Sequence, residues 1–471
     1  MATTQSAVRF FKDIRFWILF FFLLRMYGIT FPPLEVGHNW RQTDGLMIAR
    51  NFYERDANIF YPTVDVAGEK SGIVGCEFPL LNYIVYLVAA VFGYEHWYGR
   101  LVVLLFSSIG VFFFHRILRK YFGESVAFNA AIILLVSFWF SHSRKNIPDI
   151  FAVSLCITGL YYALAYLEEG KWYRLAIYFI LALAGCLAKV TAASVLSVLL
   201  IPFLNKENPA TRKVTLGLFS CAILAGIYGW YLVWIPYLNE TYGFGDHFSM
   251  GTSFMEGAKS FIGSFPKVSK RFYDTAMKYT GFAAFLAGLF FLIRKKQWIA
   301  FAAFLLPFLS FMLVLIKTGN SIIGDTYYIL TVIPCMAFVA GYGLAQIPNK
   351  KVIAAALVII AIEGIADQIY DFRVRQPNKS LEELETIMDG ISKRDDLIAI
   401  NSDVHNPTAM YFAHRRGWTV TNDFLSHEEN IQDMHAKGCK FIVIAKEQYG
   451  DISLAFPKVH ESQYFKIYKL N

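Results

Sequence analysis

The sequence predicts a polytopic α-helical membrane protein followed by a small C-terminal α/β domain, and three observations support this prediction. Of the 471 residues, 56% are hydrophobic and only 17% are charged, whereas about a quarter of the residues of soluble domains are charged. The apolar residues fall into separate runs of about the 17–25 residues that cross a bilayer. Beyond residue 371, short apolar runs alternate with charged helical stretches, which is typical of an α/β domain.

The apolar runs predict about eleven membrane spans. The first, residues 14–31, follows Lys12 and Arg15, which places the N-terminus in the cytoplasm. No small-residue cleavage site follows it, so we interpret it as an anchor and not as a signal peptide. The run at 78–92 is short for a span, and treating it as an interfacial helix keeps the basic cluster at 116–120 in the cytoplasm. The later spans are predicted near residues 100–115, 125–140, 150–167, 173–187, 191–204, 214–236, 276–293, 298–316, 327–345 and 352–368.

This topology predicts two domains. Residues 1–370 form the membrane domain, with a long first external loop at 28–99, and residues 376–471 form an extracytoplasmic α/β domain. Within the latter, strands are predicted at 397–400, 441–445 and 464–470, with helices at 380–392, 407–416 and 428–437. The net charge of +8 lies largely in short loops, where it reports topology. No basic stripe of the kind that binds nucleic acid is present.

One candidate catalytic residue, Asp44, follows the first span within the segment Gly-His-Asn-Trp-Arg-Gln-Thr-Asp at 37–44. His38, Trp40 and Arg41 lie beside it, and an amphipathic stretch at 45–55 follows. A carboxylate at a membrane face, next to a cation and an aromatic ring, could act on a substrate carried by a lipid. Asp is also a favoured N-cap, so Asp44 could begin the following helix, and the two roles are compatible.

Ionisable groups at a membrane face are costly to place, so a functional role is the default interpretation. The predicted topology brings ten of them to the outer face: Asp44, Glu77, Arg144, Lys145, Asp149, Lys189, Asp246, His247, Lys317 and Asp325. A carboxylate that takes a proton from a hydroxyl, together with cations that hold a departing phosphate, suits group transfer from a phosphate-bearing donor. Structural alternatives remain open: a helix cap for Asp149, headgroup contacts for Arg144 and Lys145, snorkelling for Lys189 and Lys317, and solvated loops for Glu77, Asp246 and His247.

Five short motifs occur in a characteristic order: Asp44 in the first external loop, Glu77-Phe78-Pro79, Gly99-Arg100, Pro148-Asp149, and Lys317 separated by nine residues from Tyr327-Tyr328. Together they resemble the GT-C glycosyltransferases, in particular the branch that contains the protein O-mannosyltransferases and the lipid A aminoarabinose transferase. The resemblance covers about residues 14–346.

The resemblance implies an inverting hexosyl- or pentosyltransferase. Such an enzyme moves a sugar from a polyprenyl phosphate to a hydroxyl of a protein, lipid A or a surface polysaccharide, at the external face of the plasma (inner) membrane. It implies that Asp44 is the base and that Asp149, the acid of the next outer loop, is a second catalytic residue. Apart from the resemblance, His38, Trp40 and His247 are candidate acceptor or loop contacts. The implied donor-binding residues are Arg41, Glu77, Arg100, Arg144, Lys145, Lys317, Tyr327 and Tyr328.

The chain departs from the family pattern at two positions. Gly45 follows Asp44 where many relatives have Glu, and Phe78 stands where the aminoarabinose transferase has Lys. Arg41, Arg144 or Lys145 would then supply the missing cation. A divalent metal is optional within the superfamily; if present, Asp44 and Asp149 would hold it. These departures leave the donor sugar and the acceptor open.

Two other classes of function compete with this one. A transporter or flippase of lipid-linked or anionic substrates would also bind its substrate with charged groups. However, internal repeats are not evident, and the charges lie near span ends and not near the midplane. A scaffold that only presents the C-terminal domain would not need clustered carboxylates in a long external loop. We therefore predict a transferase, with transport as the alternative.

Overall fold

The computed structural model describes residues 11–245, 251–319, 324–403 and 406–470. Contacts divide the chain into two compact units. The membrane unit comprises Met1–Ile29, Arg100–Leu232 and Met250–Ile369, and the loop–sheet unit comprises Thr30–Gly99, Val233–Ser249 and Tyr370–Asn471. The sequence-based division instead assigned residues 28–99 to the membrane domain and residues 376–471 to a domain of their own.

The membrane unit is helical. Its α-helices, including those at its borders, are Ile14–Met26, Tyr98–Phe122, Glu124–Val136, Trp139–His142, Pro148–Glu169, Trp172–Ala188, Leu200–Leu204, Ala210–Tyr228, Phe254–Gly263, Phe265–Lys270, Lys278–Arg294, Trp298–Lys317, Ile333–Ala345 and Lys350–Gln368. Between them lie 3₁₀ segments at Val190–Leu199 and Thr326–Thr331 and π-helical segments at Gly229–Trp234 and Arg271–Ala276.

Among the described residues, five helices are long and apolar enough to cross a membrane: Tyr98–Phe122, Pro148–Glu169, Ala210–Tyr242, Trp298–Lys317 and Lys350–Phe372. A sixth is added if Phe265–Ala276 and Lys278–Arg294, which meet at 98°, are counted as one span. The prediction of a multi-pass helical membrane protein is confirmed. The number of eleven spans stays a prediction, as does the interfacial position of Leu80–Phe92, one of several apolar helices of 10–17 residues.

Close helix packing holds the membrane unit together. The helix Pro148–Glu169 packs along Trp172–Ala188, and Ile333–Ala345 packs against both Glu124–Val136 and Lys278–Arg294. A Cβ added to Gly343 would lie 2.6 Å from the backbone nitrogen of Gly288. Because lipid tails are as apolar as the side chains, helix association in a membrane depends on such close approach.

The described part of the loop–sheet unit contains a five-stranded sheet of β1 (Leu397–Asn401), β2 (Arg416–Val420), β3 (Cys439–Ala445), β4 (Lys458–Glu461) and β5 (Phe465–Lys469). The strand order is β2-β1-β3-β5-β4, with the first three parallel and the last two antiparallel to their neighbours. The sequence predicted β1, β3 and β5. It missed β2, of which only Arg416 was assigned, to the end of the 407–416 helix, and it missed the polar edge strand β4.

Helices surround this sheet and complete the loop–sheet unit. They are Asn39–Glu54, Leu80–Phe92, Ile235–Tyr242, Gln376–Lys379, Leu384–Ile391, Thr408–Ala413, Asn422–Leu425, Glu428–Ala436 and Lys446–Tyr449, with 3₁₀ turns at Ile369–Phe372 and Ser380–Glu383. The helix predicted at 380–392 is thus a 3₁₀ turn followed by an α-helix. The helix predicted at 407–416 ends at Ala413 because His414 takes a left-handed conformation, with φ 48°.

The two faces of the sheet bury different partners. Alternate side chains of a strand point to opposite faces, so Ala399 and Ile442 pack with the Glu428–Ala436 helix on one face. On the other face, a single cluster joins side chains of the sheet to those of the first loop: Leu46, Met47, Phe52, Ile398, Ile400, Tyr411, Phe441 and Val443. Full burial of one such side chain stabilises the fold by about 1.5–3 kcal/mol. The first loop is therefore part of the core of the sheet.

His414 joins three segments of this unit by charge. Its Nδ1 lies 2.8 Å from Oε1 of Glu385, and its Nε2 lies 2.8 Å from Oε2 of Glu54. Partial burial lowers the pKa of His414, but the two hydrogen bonds outweigh it, so the pKa is raised above 6.5. The hydrogen bond from His414, aided by Arg394, lowers the pKa of Glu385 to about 2. For Glu54, burial opposes the shift but the bond to His414 lowers the pKa.

These shifts predict a pH window for the stability of the loop–sheet unit. The raised pKa of His414 gives a stabilisation that is complete below pH 6.5 and is lost as the pH rises through the folded value. The lowered carboxyl values give a stabilisation present above pH 4.5 and lost as the pH falls through them. We expect His414→Asn, which keeps a residue that tolerates left-handed backbone, to lower the melting temperature more at pH 6 than at pH 9. Equal losses at both values, measured by thermal unfolding in detergent, would contradict this assignment.

Substitution of Gly417 tests the pairing of β2, the strand that the sequence did not predict, with β1. The φ of Gly417 is 146°, and a Cβ there would lie 1.8 Å from the carbonyl oxygen of Ile398 on β1. We expect Gly417→Ala to lower the free energy of unfolding by about 1–3 kcal/mol, since a strained backbone conformation costs that much. Gly390→Ala is the matched control, because a Cβ there meets no atom within 4 Å. If both variants unfold at the wild-type temperature, the pairing of β1 with β2 is wrong.

Candidate functional site

Asp44 lies inside a helix and does not cap one. The helix Asn39–Glu54 begins five residues before it, with His38 as the N-cap residue in a left-handed conformation. The N-cap interpretation of Asp44 was therefore wrong, as was the start of the helix predicted at residue 45. Starting the helix at Asn39 puts Arg41 three residues before Asp44, the spacing at which side chains of one helix face meet.

Arg41 holds two carboxylates at once. Its Nη1 lies 2.9 Å from Oδ2 of Asp44, and its Nη2 lies 2.7 Å from Oε2 of Glu77. The Asp44 side chain is 5% exposed and the Glu77 side chain 12%. Buried charges need partners of opposite sign, because desolvation of an unpaired charge costs several kcal/mol. The Asp44–Arg41–Glu77 triad thus unites the predicted base with the acid of the Glu-x-Pro motif.

Burial at this triad extends to Cys76, the residue before Glu77. Burial raises the pKa of the Cys76 thiol well above its ordinary value, and the charges of Glu77 and Asp44 add to this effect. Cys76 is therefore held as a neutral thiol beside the carboxylates.

The neighbours of Asp44 in the chain are also held. The hydroxyl of Thr43 lies 3.1 Å from that of Thr408. It also donates to the carbonyls of Asn39 and Trp40 in the preceding turn of its own helix. On the other side, the amide of Asn82 donates to the carbonyl of Gly45 over 2.5 Å. Side chains from two other helices thus contact the side chain before Asp44 and the backbone after it. Nothing in the sequence pattern pointed to Asn82 or Thr408.

Asp149 belongs to a second cluster, in the membrane unit. It lies in the first turn of the Pro148–Glu169 helix, whose N-cap is Ile147, so the capping interpretation of Asp149 was also wrong. A negative charge in a first helical turn is favoured by the helix dipole. Nζ of Lys189 lies 3.7 Å from Oδ1 of Asp149, and both side chains are buried.

Lys189 is the residue that sequence analysis most undervalued. It was expected to snorkel to the surface, but its side chain is only 5% exposed. Its Nζ lies 5.4 Å and 5.0 Å from the ring centres of Tyr327 and Tyr328, within the range of cation–π attraction. The signal in the sequence was a single lysine within an apolar stretch of about two spans, which favours a buried functional charge. We call this group the lysine cluster; its members are Lys189, Asp149, Tyr327 and Tyr328.

The other predicted cations of the membrane unit take different positions. Arg144 donates hydrogen bonds to the carbonyls of Tyr27 and Gly28, the second at 3.0 Å, and Arg100 donates to the carbonyl of Ile29 at 3.3 Å. Both guanidinium groups thus hold the chain where it leaves the first helix. Lys145 is fully buried. Arg144 is also buried, and the roles of both residues stay predictions.

Of the remaining predicted residues, some lie within the described part of the chain and others lie outside it. Lys317 is exposed and donates to the carbonyl of Thr252 over 2.7 Å. His38 and Trp40 lie half-buried at the start of the Asn39–Glu54 helix. His247, together with Asp246, lies outside the described residues.

The described residues contain no group of three or more His, Cys, Asp or Glu side chains placed to hold a metal ion. Asp44 and Asp149, the predicted ligands of an optional metal, instead form ion pairs with Arg41 and Lys189 respectively. The metal therefore stays a prediction.

The chain is similar to one known protein family and to several solved structures. Residues 77–234, about a third of the chain, match the family model of dolichyl-phosphate-mannose-protein mannosyltransferases. No curated protein sequence shows a significant match to the chain. The family-model match supports, over residues 77–234, the resemblance to the mannosyltransferase branch of the GT-C glycosyltransferases that the sequence predicted.

Two groups of solved structures share this fold. ArnT from Cupriavidus metallidurans, in the apo state, is 13% identical with a TM-score of 0.59 over 96% of this chain and 97% of its own. The same protein bound to undecaprenyl phosphate is 14% identical, again with a TM-score of 0.59, over 96% and 98%. The Archaeoglobus fulgidus oligosaccharyltransferase in its apo form is 10% identical with a TM-score of 0.53, over 91% of this chain and 69% of that one.

A double-mutant cycle tests the Lys189–Asp149 pair. Removing one partner of a buried ion pair typically costs about 3–5 kcal/mol, since the other charge stays buried. We expect Lys189→Met and Asp149→Asn each to lower the melting temperature, and the double variant to lose less than the sum of the two. Lys206→Met, at an exposed lysine, is the control and should leave the melting temperature unchanged. Strict additivity of the two losses would show that the residues do not interact.

Proposed function

We propose that the protein is an inverting glycosyltransferase that moves a sugar from a polyprenyl-phosphate donor to an acceptor hydroxyl, with Asp44 as the base. The observation that carries this proposal is the Asp44–Arg41–Glu77 triad, in which a largely buried carboxylate is held by a cation on its own helix. The family-model match to mannosyltransferases and the fold shared with an undecaprenyl-phosphate-binding protein support transfer over transport.

In the proposed reaction, the acceptor oxygen attacks the anomeric carbon from the side opposite the phosphate. A new carbon–oxygen bond forms, the bond between the anomeric carbon and the phosphate oxygen breaks, and the phosphate leaves with the electron pair. The acceptor proton passes to Asp44. Arg41 favours the ionised form of this carboxylate, which is the form that can accept a proton.

We propose that cations of the membrane unit bind the donor phosphate, and that Lys189 is one of them. The buried ammonium of Lys189 lies beside the rings of two tyrosines, and the hydroxyl of Tyr327 donates to the carboxylate of Asp325 over 3.1 Å. An ammonium in a site of low polarity stabilises a departing phosphate more strongly than it would in water. Arg144, Lys145 and Lys317 remain proposed donor contacts, with Asp149 as a second catalytic carboxylate, while Arg100 is proposed to shape the site.

The acceptor and the location of the reaction complete the proposal. Basic residues in the predicted cytoplasmic loops support an active site at the external face of the plasma membrane. The acceptor is proposed to be a hydroxyl of a protein, lipid A or a surface polysaccharide, with His38 and Trp40 near it. Either a hexose or a pentose fits the family as donor sugar.

Asp44→Asn tests the role of the base. The amide keeps the shape of the side chain but cannot accept the proton, so we expect transfer to fall by about 10²–10⁴-fold, the usual contribution of a general base. The measurement is transfer of label from a panel of radiolabelled polyprenyl-phosphate sugars in membranes, with a cell extract supplying acceptors.

Asp56→Asn is the matched control, since Asp56 is an exposed acid of the same loop. It should transfer label at the wild-type rate. Equal transfer by wild type and Asp44→Asn would remove Asp44 from the mechanism. The absence of transfer from every donor by the wild type would favour a transporter.

A further inference from the structure

The short helix Thr408–Ala413 and its C-cap residue His414 belong to the C-terminal part of the loop–sheet unit, called here the α/β segment, and they contact the Asp44 helix. Within the described residues, hydrogen bonds join them at three positions that follow the same order in both chain segments. Thr43 meets Thr408 near the start, Arg50 meets Tyr411 in the middle, and Glu54 meets His414 at the end. The Asn39–Glu54 helix is thus held at three successive positions by one short segment about 360 residues away in the chain.

The middle contact is a buried polar network. Arg50 donates to the carbonyl of Tyr411 at 2.9 Å, pairs with Asp65 at 3.2 Å, and lies 4.4 Å from the centre of the Tyr411 ring. The Tyr411 hydroxyl in turn lies 2.9 Å from that of Tyr94 and 2.7 Å from Nδ1 of His96. Such a network fixes both the rotation and the height of the helix, because every member has a defined hydrogen-bond geometry.

The contact nearest to Asp44 is the most consequential. Asp44 directly follows Thr43, so the Thr43–Thr408 contact sets the rotation of the helix at the carboxylate. A side chain lies about 5 Å from the axis of its helix, so a rotation of about 10° displaces the carboxylate by about 1 Å. A misplacement of 1 Å in a catalytic group can cost about 10²-fold in rate.

We propose that Thr408, Tyr411 and His414 are positioning residues for Asp44, and that the α/β segment serves as a fixed support of the catalytic helix and not as a movable lid or an acceptor-binding appendage. This inference rests on the proposed function of Asp44. It gives the C-terminal segment a role within the transferase itself, at positions outside every motif that carried the family resemblance.

A reversible cross-link separates a fixed support from a lid. The hydroxyl oxygens of Thr43 and Thr408 lie 3.1 Å apart, so cysteine sulfurs at these positions would be within reach of a disulfide. In the Thr43→Cys/Thr408→Cys variant of the full-length protein, oxidised glutathione converts the two thiols to a disulfide and is itself reduced. We expect mass spectrometry to find the linked peptides. We expect transfer to be reduced in the thiol form and restored to near the wild-type rate in the disulfide form.

Three results would overturn the proposal. Loss of transfer on oxidation, with recovery on reduction, would show that the segment must move during the reaction. Failure of the disulfide to form would show that the two helices are not in this contact. Transfer at the wild-type rate in both forms would show that the contact does not position Asp44. If the wild type transfers no label, the proposed function fails, whereas the yield of the cross-link still reports the contact.

Kinetics of a single substitution separate positioning from acceptor binding. We expect Thr408→Val, which removes the hydroxyl and keeps the shape, to lower kcat by about tenfold with unchanged KM for donor and acceptor. The melting temperature should stay near that of the wild type, because the substitution keeps the shape of the side chain. An increase in the acceptor KM with unchanged kcat would assign the segment to acceptor binding and overturn the proposal.

Discussion

The ion pair between Arg41 and Asp44 is the interaction on which the proposed chemistry depends. The Asp44 carboxylate is only 5% exposed, so its negative charge needs a cation beside it. Without one, desolvation of the charge would destabilise the fold by several kcal/mol. The helix supplies the compensation from its own preceding turn, and the same guanidinium reaches Glu77 in another part of the loop. One arginine therefore determines where two acids of the first loop lie.

This arrangement requires that the helix itself be rigid, and the core of the sheet provides that rigidity. Leu46, Met47 and Phe52 pack into the same apolar cluster as the inward side chains of β1 and β3. The loop that carries the candidate base is thus folded onto the C-terminal sheet. Its conformation is determined by tertiary packing and not by the loop sequence alone.

The sequence predicted the parts of this architecture that depend on local pattern. Composition and spacing alone reveal the apolar runs and the strands β1, β3 and β5. They also reveal the motifs that contain Asp44, Glu77 and Asp149. The sequence could not show that Arg41 reaches Glu77 or that Thr408 contacts Thr43, because these pairs lie 36 and 365 residues apart. It misjudged the start of the Asp44 helix, because the glycine at 37 and the polar residues that follow are equally typical of a turn. It missed β4 because a short, polar edge strand lacks an apolar pattern.

The stereochemistry of transfer tests the central claim most directly. Purified protein would be given an anomerically defined polyprenyl-phosphate sugar and an acceptor, and NMR would identify the new glycosidic linkage and the released lipid. A single displacement assisted by Asp44 predicts the inverted anomeric configuration, with release of the polyprenyl monophosphate. A product that retains the donor configuration would contradict the account, since retention requires a covalent or otherwise two-step route in which Asp44 is not simply a base.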